Sequence, residues 1–439
     1  MGRYRALAQE KTRRLMSERL YYSDSFLTSF DAAVTDVREV SRQDGESVWQ
    51  LALDRTAFYP TSGGQPMDRG VLHAIARGGA ALEIPVEQVE EDEHGEVWHF
   101  VRKPLTAGTV VRGQIDWERR FDHMQQHTGQ HLLSAVFQKE LQAPTVSFHL
   151  GESVSTIDLA ANVPARHSLE RVERVANEII GEDRPVTVSY VARAEAEAML
   201  AAGILRKLPE REGQIRLIAI ADCDRNACGG THLRSTGQIG GLQVRGVEKV
   251  SRGVRVEFAC GLRAVRAARA DAARLSEVAG ALSVGAADVP AAVTRLLNEA
   301  KSGAKERQRL REELTAYHAS RLAVEVPIEE GLRLVARTWK DRDREYVRML
   351  AARTALAAPE TVAIFCAEET NPARVVMARS LDLDFDCGRL LREALTEFGL
   401  RGGGSPDLAQ GEVPIAQAAA LCAKLEDAVR RSVAGAHAV

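Results

Sequence analysis

Two histidines with the spacing of metal ligands lie in the segment His127-Thr128-Gly129-Gln130-His131. Residues four apart on a helix share one face, one turn from each other, so both imidazoles can bind one ion. Further along the chain, Cys228 and His232 are again four apart, with glycines between them. Glycines let such a segment curl until both donors point at one ion. Three imidazoles and a thiolate are a normal donor set for Zn²⁺, and one that Mg²⁺ and Ca²⁺ do not favour.

Two neighbouring residues are alternative donors. His123 precedes His127 by one turn and could be a third ligand, a group behind the ligands or a substrate contact. Cys223 could replace Cys228, although the glycines that follow Cys228 favour Cys228. Four protein ligands are typical of a closed structural site, whereas a catalytic site needs an open position or a displaceable ligand, and the spacing leaves this choice open. A zinc peptidase is disfavoured, because the helix reads HTGQH and lacks the general-base glutamate of HExxH.

The hydrophobic pattern predicts the elements that must position these donors. Short alternating runs broken by turn signals predict strands over residues 24–115, arranged as a small β-barrel. Helical periodicity predicts the helix of the histidines over residues 118–142, and a mixed α/β pattern continues to residue 261. The predicted fold class is therefore α+β and multidomain. The expected segments are an N-terminal barrel (1–115), a mixed zinc-binding domain (116–261), a helical linker with coiled-coil character (262–324) and an α/β domain (325–439).

Length and composition limit the class of protein. A chain of 439 residues corresponds to about three domains, and 45% apolar with 27% charged residues is ordinary globular usage. No apolar run reaches the roughly 18–20 residues of a membrane helix, and the N-terminus lacks an apolar signal-peptide core. We therefore expect a cytoplasmic protein with no membrane partner. Six scattered cysteines do not indicate a disulfide framework, and the net charge of −3 gives no sign of a nucleic-acid partner.

Several motifs together resemble a known family. The pairs HxxxH and CxGTH are similar to those of the alanyl-tRNA synthetase editing domain, and more closely to the free-standing alanyl-tRNA editing proteins of the long AlaX class. The segment Thr56–Gly70 is similar to that family's glycine-rich motif, and Ser147–Asp158 to the strand pair that lines its editing pocket. Gly402–Gly404 and the residues that follow are similar to the C-terminal DHHA1-type domain of the synthetase. The resemblance extends from about Arg19 to the end, which leaves too short a segment in front for the aminoacylating domain.

This resemblance implies a function. We expect a trans-editing hydrolase, an aminoacyl-tRNA deacylase with bound Zn²⁺, whose partner is tRNA(Ala) mischarged chiefly with serine and also with glycine. Relation to a synthetase also implies nucleotide and ATP binding. The alternative is a nonenzymatic tRNA-binding module with a structural zinc. The helical or C-terminal region is the candidate interface of a homodimer.

Within that family context, individual residues receive expected roles. Thr128 lies between the helix ligands and is a candidate contact for a seryl hydroxyl, while Gln65 of the glycine-rich motif is expected to face the acylated end of the tRNA. The catalytic candidates are Gln65, His123 and Thr128, and the substrate-binding candidates are Gly63, Gly64 and Asp68. Glycines let backbone N–H groups approach phosphates, and arginines suit the RNA backbone. The expected tRNA-binding residues are Arg252, Arg255, Arg401, Gly402, Gly403 and Gly404.

Overall fold

The structure is a computed structural model that describes residues 16–43, 46–76, 79–210 and 213–436. The chain divides into two units, Met1–Glu277 and Val278–Val439. The described chain contains several sheets and many helices and is a mixed α/β, multidomain protein, which agrees in outline with the predicted α+β multidomain class. The boundaries of the four expected segments remain predictions.

Short strands make up the first part of the first unit, as the alternating pattern predicted. They form a seven-stranded antiparallel sheet, apart from the two short strands β1 and β4, which pair with each other. These elements are β1 (Glu18–Arg19), α1 (Leu20–Ser23), β2 (Ser29–Gln43), β3 (Glu46–Leu53), β4 (Arg55–Thr56), β5 (Gly70–Ile75), β6 (Ala81–Val86), β7 (Gln88–Glu91), β8 (Val97–Val101) and β9 (Val110–Ile115).

The seven-stranded sheet curls back on itself. Its spatial order is β6-β5-β9-β2-β3-β8-β7, and its two edge strands are joined in the chain through Glu87 alone. The edges therefore meet at this residue, and the inward side chains, such as Leu51, Leu72 and Ile84, form one apolar core. Among the described strands no hydrogen-bonded ladder joins β6 to β7, so the structure shows a curled sheet rather than a closed barrel.

The second part of the first unit surrounds one long helix. Two antiparallel sheets, β10-β11-β16-β15 and β12-β13-β14, accompany it. The elements are α2 (Trp117–Leu141), β10 (Thr145–Leu150), β11 (Ser155–Leu159), α3 (Arg166–Gly181), β12 (Val186–Val191), α4 (Arg193–Ala201), β13 (Ile215–Ile220), β14 (Asp224–Ala227), β15 (Leu242–Val250), β16 (Gly253–Cys260) and α5 (Gly261–Ala281). The bounds of α2 agree with the sequence prediction of 118–142 to within a residue, because this helix has a strong period and a clear stop signal.

Helix α2 is buried along most of its length. Every residue from His123 to Phe137 is buried, whether its side chain is polar or apolar. Its N-terminus is capped by Asp116, whose side chain accepts a hydrogen bond from the Arg119 N–H. Its C-terminus turns at Gln142 in the left-handed conformation, two residues before Pro144. A helix held this firmly is a rigid mount for side chains.

The second unit is a five-stranded mixed sheet with helices on both faces. Its spatial order is β17-β18-β19-β21-β20, and β17, α7 and β18 form a β-α-β unit with a parallel strand pair. Alternate residues of β18 face two separate cores, as Ile364 and Phe365 show. The elements of this unit, with α6 before the sheet, are α6 (Val289–Glu325), β17 (Arg333–Trp339), α7 (Arg344–Ala357), β18 (Thr361–Ala367), β19 (Ala373–Arg379), α8 (Cys387–Glu397), β20 (Gly402–Gly404), β21 (Leu408–Val413) and α9 (Ile415–Ala436).

The segment 145–159 forms the strands β10 and β11, which pair as a hairpin, since Gly151 and its neighbours turn the chain between them. This agrees with the strand pair that the resemblance implied. The triple glycine, whose composition is typical of a loop, is the edge strand β20, because its backbone pairs with β21. Among the described residues, no helix combines the length and the apolar character that crossing a membrane requires.

Candidate metal centre

The four predicted ligands come together in the first unit. His127 and His131 project from one face of α2, and the loop after β14 brings Cys228 and His232 against them. The Sγ of Cys228 lies 3.4 Å from His127 Nε2 and 3.3 Å from His232 Nε2. One donor atom from each of the four residues lies within 4.8 Å of the others. Donors about 2.0–2.3 Å from a tetrahedral Zn²⁺ are separated by roughly 3.3–3.8 Å, so this arrangement fits zinc.

The glycines between Cys228 and His232 are needed for this approach. A Cβ on Gly230 would overlap the imidazole of His127 and lie 2.9 Å from Gln65 Oε1. A side chain at this position would therefore push the loop away from α2. The structure explains why a small residue precedes Thr231 in the loop.

Each histidine of the cluster is oriented by a partner on its other ring nitrogen. His127 Nδ1 lies 2.8 Å from Gln65 Oε1, His131 Nδ1 lies 3.1 Å from Asp224 Oδ2, and His232 Nδ1 lies 3.2 Å from Thr128 Oγ1. A partner on Nδ1 fixes the ring and leaves Nε2 for a metal, which is the usual arrangement around protein-bound zinc. This observation, independent of the ligand types, supports a metal centre.

Asp224 was not among the residues predicted from the sequence. It lies at the start of β14, and Arg206 and Asn226 hydrogen-bond its carboxylate in addition to His131. The available signal was weak, because an aspartate four residues before Cys228 can face either side of the strand. Only the fold shows that it faces α2.

The electrostatics favour a thiolate at Cys228. Burial raises the pKa of this thiol, but the nearby His127 and His232 lower it more, and the net pKa lies well below its usual value. Burial lowers the pKa of His232 to about 3, so this ligand is neutral near pH 7. Burial also lowers the pKa of His131, but the hydrogen bond from its ring to Asp224 raises it, to about 9 overall. Zinc requires a thiolate and neutral imidazoles, so zinc binding would displace the proton that His131 carries near pH 7.

Gln65 and Thr128, two of the three catalytic candidates, contact the Nδ1 atoms of the ligands His127 and His232. Gln65 is fully buried, and its Oε1 also accepts the Thr231 N–H at 3.0 Å while its Nε2 donates to Thr231 Oγ1 at 2.8 Å. Thr128 Oγ1 accepts the Leu233 N–H at 3.1 Å in addition to its contact with His232. Both side chains hold the metal loop against α2, and their expected catalytic roles remain predictions.

His123 and Cys223 lie outside the ligand cluster among the described residues. His123 is buried beside a cavity, and its Nδ1 has no hydrogen-bond partner. Burial raises the pKa of Cys223 to about 11, which makes it a poor zinc ligand near neutral pH. The structure thus brings Cys228, not Cys223, to the two histidines of α2.

The glycine-rich motif places its candidates in two different environments. Gly63 and Gly64 form an exposed turn with positive φ angles of 55° and 81°. A Cβ on Gly64 would lie 2.8 Å from the ring of Phe148, which in turn packs 5.9 Å from the ring of His127. Asp68 instead is fully buried and accepts the Arg120 guanidinium and, at 2.6 Å, the Tyr59 N–H. The turn borders the centre, whereas Asp68 joins the curled sheet to α2.

Two family models match the chain. The family described as tRNA synthetases class II (A) matches residues 3–119, and the threonyl and alanyl tRNA synthetase second additional domain matches residues 215–256. The second match contains the loop of Cys228 and His232. Cys228 and His232 therefore lie within the second match, whereas His127 and His131 lie between the two matches.

A curated relative decides the family. The alanyl-tRNA editing protein AlaX-L of Pyrococcus horikoshii is 31% identical over 421 residues, which are 91% of this chain and 95% of the relative. The chain belongs to the AlaX family of alanyl-tRNA editing proteins. The resemblance inferred from the motifs is confirmed.

Alanine–tRNA ligases also resemble this AlaX chain. The ligase of Halorubrum lacusprofundi is 33% identical over 407 residues, and that of Pyrococcus abyssi is 31% identical over 405 residues. These alignments cover 92% and 90% of this chain but 42% of each ligase. The chain thus spans less than half the length of the ligases that it matches.

One solved structure overlaps part of the AlaX chain. The C-Ala domain of Aquifex aeolicus alanyl-tRNA synthetase is 20% identical, with 21% of this chain and 90% of that chain covered and a TM-score of 0.19. A likeness of this size assigns neither a fold nor a role to any part of the chain.

The expected tRNA-binding residues of this AlaX protein are spread over both units. Arg252 is exposed in the turn between β15 and β16, and Arg255 on β16 is ion-paired with Asp158 at 2.7 Å. Arg401 is exposed just before β20, whose three glycines form the edge of the second unit's sheet. Each position borders solvent at least in part, and the tRNA-binding roles remain predictions.

Proposed function

We propose that this AlaX protein is a zinc-dependent trans-editing hydrolase that removes serine, and also glycine, from mischarged tRNA(Ala). The observation that carries the proposal is the cluster of His127, His131, Cys228 and His232, with a partner on each imidazole Nδ1. Family membership supports the substrate class. The reaction is ester hydrolysis: water adds to the carbonyl carbon, the bond to the ribose oxygen breaks, and the amino acid and a free ribose hydroxyl leave.

Zinc, when bound, supplies Lewis-acid polarisation of a carbonyl or a bound water of lowered pKa. The chain's own residues hold the donors in place: Gln65, Asp224 and Thr128 orient the imidazoles, and the Gly63–Gly64 turn and Phe148 cover one side of His127. Cys228 is the one ligand of the four that is only partly buried. Its side of the cluster is therefore the side on which we expect substrate or water to approach.

Selection between amino acids explains why such an enzyme is useful. A synthesis site shaped for alanine cannot exclude the smaller glycine by size, and an added hydroxyl is rejected weakly. A second site gains selectivity if it forms a hydrogen bond with the seryl hydroxyl that alanine cannot form. The buried polar side chains around α2 can supply such a bond.

The proposal extends to partner, assembly and location. Arg252, Arg401 and the glycines of β20 are proposed to contact tRNA phosphates, for which exposed guanidinium and backbone N–H groups are suited. Helix α6 exposes Leu296, Leu297 and Leu314, and we propose this apolar surface as a homodimer interface. Because charged tRNA is the substrate, the proposed location is the cytoplasm. The expected ATP binding stays a prediction.

Deacylation of a panel of mischarged tRNAs tests the function. We expect the zinc-loaded protein to hydrolyse Ser-tRNA(Ala) and Gly-tRNA(Ala) and to spare Ala-tRNA(Ala), and chelation to abolish activity. Cys228→Ala and His131→Ala should lose activity, whereas Cys223→Ala, outside the cluster, should keep it. Full activity in His131→Ala, or none in the zinc-loaded wild type, would refute the proposal.

The second candidate, a nonenzymatic tRNA-binding module, rests on the number of ligands. Four protein donors are the usual complement of a structural zinc site. This function predicts tight binding of tRNA(Ala), no deacylation of any member of the panel, and unfolding of the first unit when zinc is removed. The same panel therefore separates the two functions.

A further inference from the structure

Two buried polar side chains on α2, one on each side of His127 along the helix, each have an atom with no hydrogen-bond partner among the described residues. Gln130 is 3% exposed and His123 is 2% exposed. The Oε1 of Gln130 and the Nδ1 of His123 have no partner among the described residues. An unpaired buried polar atom is unfavourable, so such atoms in native proteins usually have a partner in the protein, in a bound water or in a ligand.

Only one of the two polar atoms of the Gln130 amide has a hydrogen-bond partner among the described residues, and exchanging the positions of its O and N atoms would not change this. One end contacts Ser134 Oγ at 2.9 Å, and the same hydroxyl receives a hydrogen bond from Thr145 Oγ1 at 2.8 Å. The other end of the amide is free to pair with a hydroxyl, which can donate or accept. Residues three apart on a helix are neighbours, so Gln130 lies next to His127 and immediately before His131.

His123 lines a cavity of about 470 Å³ near the beginning of α2. Trp117 and Phe121 form aromatic walls there, with ring centroids 5.4 Å apart, and Glu152 and Arg266 contribute charged groups. Burial and the charges of Arg119 and Arg263 lower the pKa of His123 to about 3, so its ring is neutral and offers one donor and one acceptor. Flat apolar walls with such a polar edge suit a nucleobase.

Strand β10 runs alongside α2 and connects these positions. At its start Thr145 contacts Ser134, further along Phe148 packs 5.9 Å from His127, and just after its end Glu152 pairs with Arg119 at 2.7 Å. The seam between α2 and β10 therefore passes Gln130, the metal ligands and His123 in that order. A substrate that lies in this seam meets all three.

The spacing along the helix matches the dimensions of an aminoacylated nucleotide. At 1.5 Å per residue, His123 precedes His127 by about 6 Å, and Gln130 follows His127 by about 4.5 Å. In a seryl-adenosine ester, roughly five covalent bonds separate the carbonyl carbon from the base and roughly three separate it from the hydroxyl, at about 1.5 Å each. The longer arm fits the side of His123 and the shorter arm fits the side of Gln130.

We propose that the terminal nucleotide of the charged tRNA lies along α2 in one direction, which we call its polarity. Its base lies in the cavity beside His123, and its seryl hydroxyl contacts the amide of Gln130. The inference rests on the proposed editing function, since it places the ester at the metal centre. It assigns the hydroxyl contact to Gln130 instead of Thr128, because Thr128 Oγ1 is already engaged by the Leu233 N–H and His232. Gln130 is thus the residue that distinguishes serine from glycine.

Non-hydrolysable analogues test the polarity without requiring turnover. The probes are 3′-(serylamino)-3′-deoxyadenosine, its glycyl counterpart, and AMP, titrated against the zinc-loaded protein. Gln130→Met keeps the length of the side chain and removes its hydrogen bonds, so we expect about tenfold weaker binding of the seryl analogue and less than twofold change for the glycyl analogue. His123→Ala should weaken all three probes, AMP included, by about tenfold.

Matched variants control for indirect effects. Gln138→Met changes an exposed glutamine of the same helix, and His167→Ala changes an exposed histidine of α3. Neither should alter binding of any probe. Thermal unfolding of all variants shows whether each is folded. If Gln130→Met is unstable, Gln130→Asn replaces it, because the shorter side chain keeps its amide but moves it away from the seryl hydroxyl.

Three results would overturn the inference. They are equal weakening of the seryl and glycyl analogues by Gln130→Met, AMP binding that His123→Ala leaves unchanged, and absence of analogue binding by the wild type. A protein that binds the analogues as expected but hydrolyses no mischarged tRNA would refute the editing function and leave the polarity supported. A protein that hydrolyses Ser-tRNA(Ala) with no difference between Gln130→Met and Gln138→Met would refute the polarity alone.

Discussion

His131 Nδ1 lies 3.1 Å from Asp224 Oδ2, and this contact joins the metal-binding helix to the strand that leads into the metal loop. The pair is 93 residues apart in the chain. Both side chains are at most 7% exposed, so water competes little for the hydrogen bond. The carboxylate of Asp224 therefore orients the ring of His131 and also holds the start of β14, and with it the loop of Cys228, against α2.

Asp224→Asn should weaken zinc binding by about 10–100-fold, because the amide is a poorer partner for the ring of His131 and no longer fixes its tautomer. Competition with a chelator measures the affinity. Asp222→Asn, at an exposed position two residues earlier, is the matched control and should bind zinc like the wild type. Equal affinities in the two variants would show that Asp224 does not support the ligand.

Gly230→Ala should prevent formation of the metal centre, since the added Cβ would overlap the ring of His127. Metal analysis of the purified protein should show little zinc. Gly229→Ala is a closely matched control, as its Cβ would meet only Tyr22, at 3.6 Å from the hydroxyl oxygen, an ordinary contact. Full zinc content in Gly230→Ala would mean that the loop can move without losing its ligands.

Asp68→Asn should destabilise the first unit by about 3–5 kcal/mol, because it leaves the buried Arg120 guanidinium without its counter-charge. Urea unfolding measures the change. Glu118 lies on α2, like Arg120, and forms an exposed ion pair with Arg266 of α5. Glu118→Gln breaks this pair and should have a far smaller effect. If Asp68→Asn were as stable as the wild type and instead raised the KM for mischarged tRNA, the expected substrate role of Asp68 would be supported.

His99 should make the protein less stable in acid. Burial lowers the pKa of His99 to about 4, although its hydrogen bond to the Leu51 carbonyl raises it slightly, while in the unfolded chain the pKa is near 6.5. The unfolded state therefore binds more protons between pH 6.5 and 4. The contribution of His99 is fully present above pH 6.5 and is lost as the pH falls through that range, up to about 3 kcal/mol.

The measurement is the free energy of unfolding as a function of pH. His99→Gln should flatten the curve between pH 6.5 and 4, whatever its stability at neutral pH. His94→Gln removes a histidine that is 82% exposed and should follow the wild-type curve. Identical slopes for the two variants would contradict the assignment to His99.

Much of the site was predictable because its signals are local. The four-residue spacing of His127 and His131, and of Cys228 and His232, follows from helix and loop geometry, and strong periodicity located α2 to within a residue. The structure then brought together the same four ligands. Cys223 and Cys228 were harder to separate by residue type, and the structure distinguishes them because His127 and His232 lie beside Cys228 and lower the pKa of its thiol.

The groups behind the ligands could not be predicted in this way. Gln65 lies 62 residues before His127, and a glycine-rich motif indicates a turn without showing which side chain faces the helix. Asp68 has the residue type of a substrate contact, yet it lies in a fully buried ion pair with Arg120. The triple glycine indicates a loop by composition and becomes the strand β20 only because β21 offers a partner.

The sequence alone determined the donor set, the helix that carries half of it, and the family to which the motifs belong. These depend on residue type and short-range spacing, which the backbone translates directly into shared faces. Only the tertiary structure decided which groups orient the ligands and which buried polar atoms, those of Gln130 and His123 among them, have no partner within the described residues. Burial is a collective result of packing distant segments, so whether a polar atom is satisfied depends on neighbours that no local pattern specifies.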